Sequence, residues 1–125
     1  MFLTVLLMKK ILIMDDDEEM LSVLEVILSK HGYKVAISKP TPEIVELVNM
    51  HQPDLIILDY LMGSINGGDL CSTLHKEPTF SHLPVIIFSA YDRVFSGMGN
   101  YGCSLFLPKT ADMSTLISEI QTLLN

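Results

Sequence analysis

Cysteine is scarce in this chain, and the little there is forms no pattern. Cys71 and Cys103 are the two cysteines among 125 residues. Two thiols without a paired-motif spacing make neither a disulfide framework nor a zinc site. The expectation is a pair of buried, reduced thiols of the kind cytosolic proteins carry. Charge is also thin, with Asp, Glu, Lys and Arg together at 18%, below the usual quarter. Positive charge is the scarcer sign: 8 Lys and Arg stand against 15 Asp and Glu, for a net charge of −7. No basic run or stripe appears, which speaks against a nucleic-acid binder, because phosphate contacts need clustered Lys and Arg. An acidic chain can still hold a metal cation or meet a basic patch on a partner.

Long apolar runs are missing too. The apolar N-terminal stretch Phe2 to Met8 is far too short to span a bilayer. It also lacks the basic leader and small-residue cleavage site of a secretory signal. No membrane association is expected, and a cytoplasmic location is. Linkers, repeats and low-complexity segments are absent, and no stretch reads as an appended output domain. What is present is a chain of one-domain length with 49% hydrophobic residues, enough to build a core. Met8 opens MKKILIM, which reads as a domain start. Residues 1–7 are therefore expected to be an extension and residues 8–125 the domain.

Apolar runs alternate with helical patterns along that domain. Lys10 to Met14 (KILIM) has strand length and is broken by Asp15 to Asp17. Met20, Leu21, Val23, Leu24, Ile27 and Leu28 recur at helical spacing, and His31-Gly32 ends that helix, with Gly suited to a left-handed cap. Tyr33 to Ile37 alternates as a strand does. Thr41-Pro42-Glu43 reads as a helix start, with Ile44, Val45, Leu47 and Val48 as the buried face. Leu55 to Leu58 (LIIL) is a second apolar run, followed by a loop holding Gly63, Asn66, Gly67 and Gly68. Asp69 to Lys76 reads as a helix and Val85 to Phe88 (VIIF) as another strand. Tyr91 to Tyr101 is the weakest helical segment, unsettled by Gly97 and Gly99. Ser104 to Leu107 is the last strand, and Asp112 caps a final amphipathic helix.

The order is β-α repeated five times. Strands apolar on both faces imply a parallel sheet covered by helices on both sides. With right-handed crossovers, the common solution is an α/β, flavodoxin-like (βα)5 three-layer sandwich, whose five-stranded parallel sheet runs in the order 2-1-3-4-5. Ligands bind such folds at the switch point between strands one and three, beyond their carboxyl ends.

Polar residues collect at that edge. Asp15, Asp16 and Asp17 follow the first strand, Asp59 the third, Ser89 the fourth and Lys109 the fifth. Several carboxylates forced together cannot all stay ionised without a cation. A few hard oxygen ligands suit Mg²⁺, which completes its shell with waters and a phosphate oxygen. Asp59 can then act as a carboxylate nucleophile on phosphorus, with Ser89 as a hydroxyl donor and Lys109 as a fixed positive charge. An acidic loop is the wrong cradle for a nucleotide or flavin phosphate. The plainer readings make Asp15 and Asp16 a helix N-cap and a solvated loop acid, with Asp17 the better cap, Asp59 a loop acid, Ser89 a cap of the next helix and Lys109 a surface lysine. The histidines His31, His51, His75 and His82 are not at ligand spacing, and three lie near helix C-termini, where a cation suits the dipole.

MKKILIMDDDEEM, PDLIILDYLMGSINGGDL, LPVIIFSAY and LFLPK, in that order, resemble the response-regulator receiver family from Met8 onward. The resemblance implies that Asp15 and Asp16 are the acid-pair metal ligands, Asp59 the phosphoacceptor and Leu61 the donor of a backbone carbonyl to Mg²⁺. It implies Ser89 and Phe106 as the switch pair and Lys109 as the family's lysine. It further implies phosphoryl transfer from a histidine kinase, a phosphotransfer protein or a small donor. A slow self-hydrolysis, a downstream protein target and a monomer or weak dimer complete the set, with no turnover of an external substrate. A phosphorylation-independent interaction module is the alternative. A true phosphohydrolase would need an acid–base residue two positions after the nucleophile, where this chain has Leu61. Leu61 and Tyr91, two residues beyond Asp59 and Ser89, are bulky and orient no water, so the phosphorylated form is expected to be long-lived. Four departures from the family pattern stand out: Gly63 where Pro is usual, Thr110 rather than Pro after the lysine, a fourth helix that is short for the family and holds Gly97 and Gly99, and Phe106 in place of Tyr.

Overall fold

The computed structural model describes residues 8–90 and 102–125. The expected extension at residues 1–7 and the weak helical segment with Gly97 and Gly99 lie outside the described residues. In chain order the elements are β1 (Lys10–Met14), α1 (Glu18–Lys30), β2 (Lys34–Ser38), α2 (Ile44–His51) and β3 (Leu55–Leu58). Then come β4 (Leu61–Met62), β5 (Ile65–Asn66), α3 (Gly67–His75) and a 3₁₀ turn at Pro78–Phe80. The described chain closes with β6 (Val85–Ser89), β7 (Leu105–Pro108) and α4 (Met113–Leu124).

The main sheet has five parallel strands in the order β2-β1-β3-β6-β7. Counted along the sheet strands alone, this is the 2-1-3-4-5 order that the apolar runs implied. The strand alternation sorts side chains between two layers. Ile11, Ile13, Leu55, Ile57, Ile86 and Phe88 pack with Leu21, Leu24 and Leu28 of α1 and Leu116, Ile117 and Ile120 of α4. Leu12, Met14, Ile56, Leu58, Val85 and Ile87 pack with Ile44 and Val48 of α2 and Leu70, Cys71 and Leu74 of α3. Both faces are dry, which is why the central strands are unbroken apolar runs.

The structure shifts several local expectations. Thr41 does cap a turn, its Oγ1 accepting the Glu43 N–H at 3.2 Å, but the helix begins at Ile44, and its N-cap Glu43 makes no side-chain cap bond. Asp112 stands at the N-cap of α4 without a side-chain bond. Gly32 at φ +90° terminates α1 as expected. The expected loop after β3 is instead a small antiparallel hairpin, with Leu61 opposite Asn66 and Met62 opposite Ile65. Gly63 turns it at φ +64°, a conformation a proline could not take. The next helix starts at Gly67, two residues earlier than its apolar pattern suggested. Among the described residues no helix is long and apolar enough to cross a membrane.

Candidate functional site

Register brings the polar residues together. Met14 pairs with Leu58, and the Asp59 N–H donates to the Met14 carbonyl at 3.0 Å. Asp15 and Asp59 therefore leave adjacent strands side by side. At the next strand pair the Lys109 N–H donates to the Ser89 carbonyl at 2.8 Å. These backbone bonds fix where the side chains start, so the cluster inherits the rigidity of the sheet.

Asp15 and Asp59 are 3% and 5% exposed, and Ser89 is fully buried; Asp16 is exposed. One carboxylate oxygen from each of Asp15, Asp16 and Asp59 lies within 4.8 Å of the others. Lys109 Nζ closes the group, 2.7 Å from Asp15 Oδ2 and 3.3 Å from Asp59 Oδ2. Its aim does not depend on a following proline: no cis peptide occurs among the described residues, and the ammonium reaches both acids. Asp17 takes the plainer role of helix cap, accepting from the N–H groups of Glu19 at 3.0 Å and Met20 at 3.2 Å. Asp15 Oδ1 accepts the Asp17 N–H at 2.9 Å, which binds the acidic loop to the first turn of α1.

The electrostatics follow from burial and crowding. Burial, and then the charge of Asp15, push the Asp59 carboxyl up to about 6, against the opposing pull of Lys109 and the Tyr60 N–H. That N–H donates to Asp59 Oδ1 at 2.8 Å. For Lys109, burial works toward a neutral amine. The hydrogen bond and charge of Asp15, joined by Asp59, outweigh it and hold the ammonium above the ordinary lysine range.

Hard carboxylate oxygens at short mutual distance, two of them buried, are the donor set Mg²⁺ takes. A buried carboxylate that resists ionisation is one a cation would relieve. The residues present therefore fit the ion. Leu61, expected to lend its carbonyl, opens the hairpin two residues past Asp59, with its side chain 40% exposed. Phe106 is half-buried in β7, packed against the α2–α3 layer. Tyr91 lies outside the described residues.

Sequence reading missed one residue that shapes the site. A Cβ at Gly67 would fall far inside contact distance of the Asp59 carbonyl oxygen, and the Gly67 N–H donates to the Tyr60 carbonyl at 2.7 Å. Only glycine lets α3 begin against the backbone of Asp59. The signal was the glycine pair at the head of a helix, where a side-chain-bearing residue would be the better helix former.

Comparison with known proteins agrees with this geometry. Residues 11–121 match the family model described as the response regulator receiver domain. Response regulator PleD of Caulobacter vibrioides is 31% identical over 120 residues, covering 91% of this chain and 26% of PleD. The chain spans about a quarter to a half of the length of the curated relatives it matches. Among solved structures, the signal receiver domain of a histidine kinase from Syntrophus aciditrophicus is 30% identical. It superposes with a TM-score of 0.84, over 93% of this chain and 89% of that one. The response regulator TrrA of Thermotoga maritima, solved in complex with Mg²⁺ and a beryllofluoride, has a TM-score of 0.85 at 24% identity, over 94% of this chain and all of that one. That likeness concerns the fold.

Proposed function

The chain belongs to the response-regulator receiver domain family of two-component systems, and from that premise we propose that it is a Mg²⁺-dependent phosphoryl acceptor whose acceptor is Asp59. The observation that carries the reading is the Lys109 ammonium set between two buried carboxylates, Asp15 and Asp59, with Asp16 beside them. Asp15, Asp16 and Asp59 would hold the ion, with the Leu61 carbonyl as the family's further ligand. When bound, Mg²⁺ supplies positive charge to the carboxylates and to the incoming phosphoryl oxygens.

The chain's own residues do the rest. A carboxylate oxygen of Asp59 attacks phosphorus, and the donor's leaving group departs on the far side. Lys109, fixed by Asp15, offers its charge to a phosphoryl oxygen as Asp59 loses its own. Ser89, buried at the end of the neighbouring strand, is the hydroxyl that would bond another. Phosphoryl transfer is mostly positioning and charge neutralisation, and the strand ends provide the positioning. The donor is a histidine kinase, a phosphotransfer protein or a small acyl phosphate. The product is a modified protein read by another protein, with no turnover of an external substrate. Drawing Ser89 inward lets Phe106 follow and shifts the population of the β6–β7 face. Phe106 has no hydroxyl, so its inward position rests on packing alone. With bulky, non-polar Leu61 two residues past the acceptor, the acyl phosphate persists for longer than seconds.

Intact-mass spectrometry tests this after incubation with Mg²⁺ and acetyl phosphate, or by beryllofluoride titration. The expected result is a single adduct that requires Mg²⁺ and is lost in Asp59→Asn. No adduct from a folded wild-type chain would overturn the proposal and leave a phosphorylation-independent interaction module.

A further inference from the structure

Away from the carboxylates, α3 and the start of β7 bring a second reactive group together. Cys71 is fully buried in the α2–α3 layer, and Cys103 packs against the same layer. Both are free thiols, packed in one layer and each close enough to perturb the other's ionisation. His75, one helical turn after Cys71, places Nδ1 3.6 Å from the Cys71 Sγ. Its Nε2 lies 2.8 Å from the Leu83 carbonyl oxygen. A carbonyl only accepts, so in the neutral ring Nε2 carries the hydrogen and Nδ1 presents its lone pair to the thiol. Gly102 makes this approach possible. Its φ is +78°, and a Cβ there would stand 3.1 Å from His75 Nδ1, so the chain delivers Cys103 by running against the imidazole.

We propose that Cys71 and Cys103 are a redox-active dithiol that closes to a reversible disulfide on exposure to a hydroperoxide, with Cys103 oxidised first and His75 serving Cys71. Cys103 is partly exposed and Cys71 is not, so a small oxidant meets Cys103. The influence of the two thiols on each other points the same way. Cys71 holds the Cys103 thiol below the ordinary cysteine range, while Cys103 and burial hold Cys71 above it. Cys103, the partly exposed thiol and the more easily ionised of the two, is thus the nucleophile. Its sulfur attacks the hydroperoxide O–O bond. It becomes a sulfenic acid, and the displaced alkoxide or hydroxide leaves as alcohol or water after taking a proton. Cys71 then gives its proton to His75 Nδ1 and attacks the Cys103 sulfur. Hydroxide departs and recovers that proton as water. In sum, two thiols and one hydroperoxide give one disulfide, one alcohol or water from the peroxide, and one water. The bond would pin the middle of α3 to the chain entering β7.

The test treats the full chain with hydrogen peroxide, blocks it with N-ethylmaleimide under denaturing conditions and reads intact mass and cysteine peptides. The expected product has lost the mass of two hydrogens, takes no maleimide at either cysteine and is restored by dithiothreitol. In Cys71→Ser, Cys103 should accumulate as a sulfenic acid trapped by dimedone. In His75→Asn the trapped fraction should rise and the disulfide should form several-fold more slowly. Cys103→Ser, altered at a partly exposed position, should leave Cys71 alkylatable at the same peroxide dose. This arm stands if Cys71→Ser fails to fold by circular dichroism. The proposal fails if wild-type Cys103 gains oxygen atoms while Cys71 stays alkylatable, if the bond forms only between two chains, or if Cys71 in Cys103→Ser oxidises at the wild-type rate.

Discussion

The three central strands are as buried at their last polar residue as in their apolar interior, yet the two regions contribute to stability with opposite sign. Ile11 to Met14, Leu55 to Leu58 and Val85 to Phe88 are at most 1% exposed. One step further along each strand stand Asp15, Asp59 and Ser89, at 3%, 5% and 0%. Burying an aliphatic side chain stabilises by about 1.5–3 kcal/mol, whereas withdrawing a carboxylate from water costs free energy unless it is paired. Lys109 offsets that cost only in part, because one ammonium faces two acids. The difference teaches a division of labour. The interior over-determines the frame, and the frame then holds together charges that would separate if they were free to move.

The sharpest way to break the comparison is to weaken the interior side. Ile57 lies mid-strand in β3, paired with Ile13 and Ile86. Ile57→Ala should lose about 2–5 kcal/mol, measured by urea unfolding, the largest effect expected here. A loss below about 1 kcal/mol would mean that the sheet does not carry the frame.

The two regions were also unequally legible. KILIM, LIIL and VIIF were readable to within a residue, because strands buried on both faces leave no polar interruption. The edge strand β2 alternates, and its limits slipped by one residue, to Lys34–Ser38. Helix starts were less readable, because Thr41-Pro42-Glu43 carries capping chemistry that the chain spends on the turn before α2. The β4–β5 hairpin was invisible, since strands of two residues have no period to detect. Asp15, Asp16, Asp59 and Lys109 could be placed together because strand ends in a parallel sheet share one edge. No such rule relates Cys71 on a helix to Cys103 in a loop, and their contact emerges only from the packing of α3 against the approach to β7.

Gly67 joins the two regions and should give the next largest effect. Its backbone seats α3 against Asp59, so Gly67→Ala must push the helix or the acceptor strand away. A cost of about 2 kcal/mol is expected, together with a loss of phosphoryl or beryllofluoride uptake out of proportion to the unfolded fraction. Uptake that stays at the wild-type level in the folded variant would show that the close approach serves packing alone.

The smallest effect has the opposite sign and tests the polar side directly. In the fold, Asp59 is raised from 3.8 to about 6, so between those values the native state binds more protons than the unfolded chain. Stability attributable to this group therefore falls as pH rises from about 4 through about 6 and is level above that. Asp59→Asn removes the ionising group while Lys109 keeps Asp15 at 2.7 Å. A rise of that size corresponds to about 3 kcal/mol. Solvent screening and the lost attraction to Lys109 reduce the net gain to about 1 kcal/mol at pH 7. The variant should be more stable than wild type at pH 7 and should match it near pH 4, where both side chains are neutral. Differences in urea midpoint between the two proteins cancel the other carboxylates and isolate this one. Adding Mg²⁺ should narrow the gap at pH 7, because a cation relieves the ionised wild-type site and has less to gain from the amide. A gap independent of pH would mean that Asp59 is as comfortable when charged as a surface acid, and that the edge of the sheet carries no stored electrostatic cost.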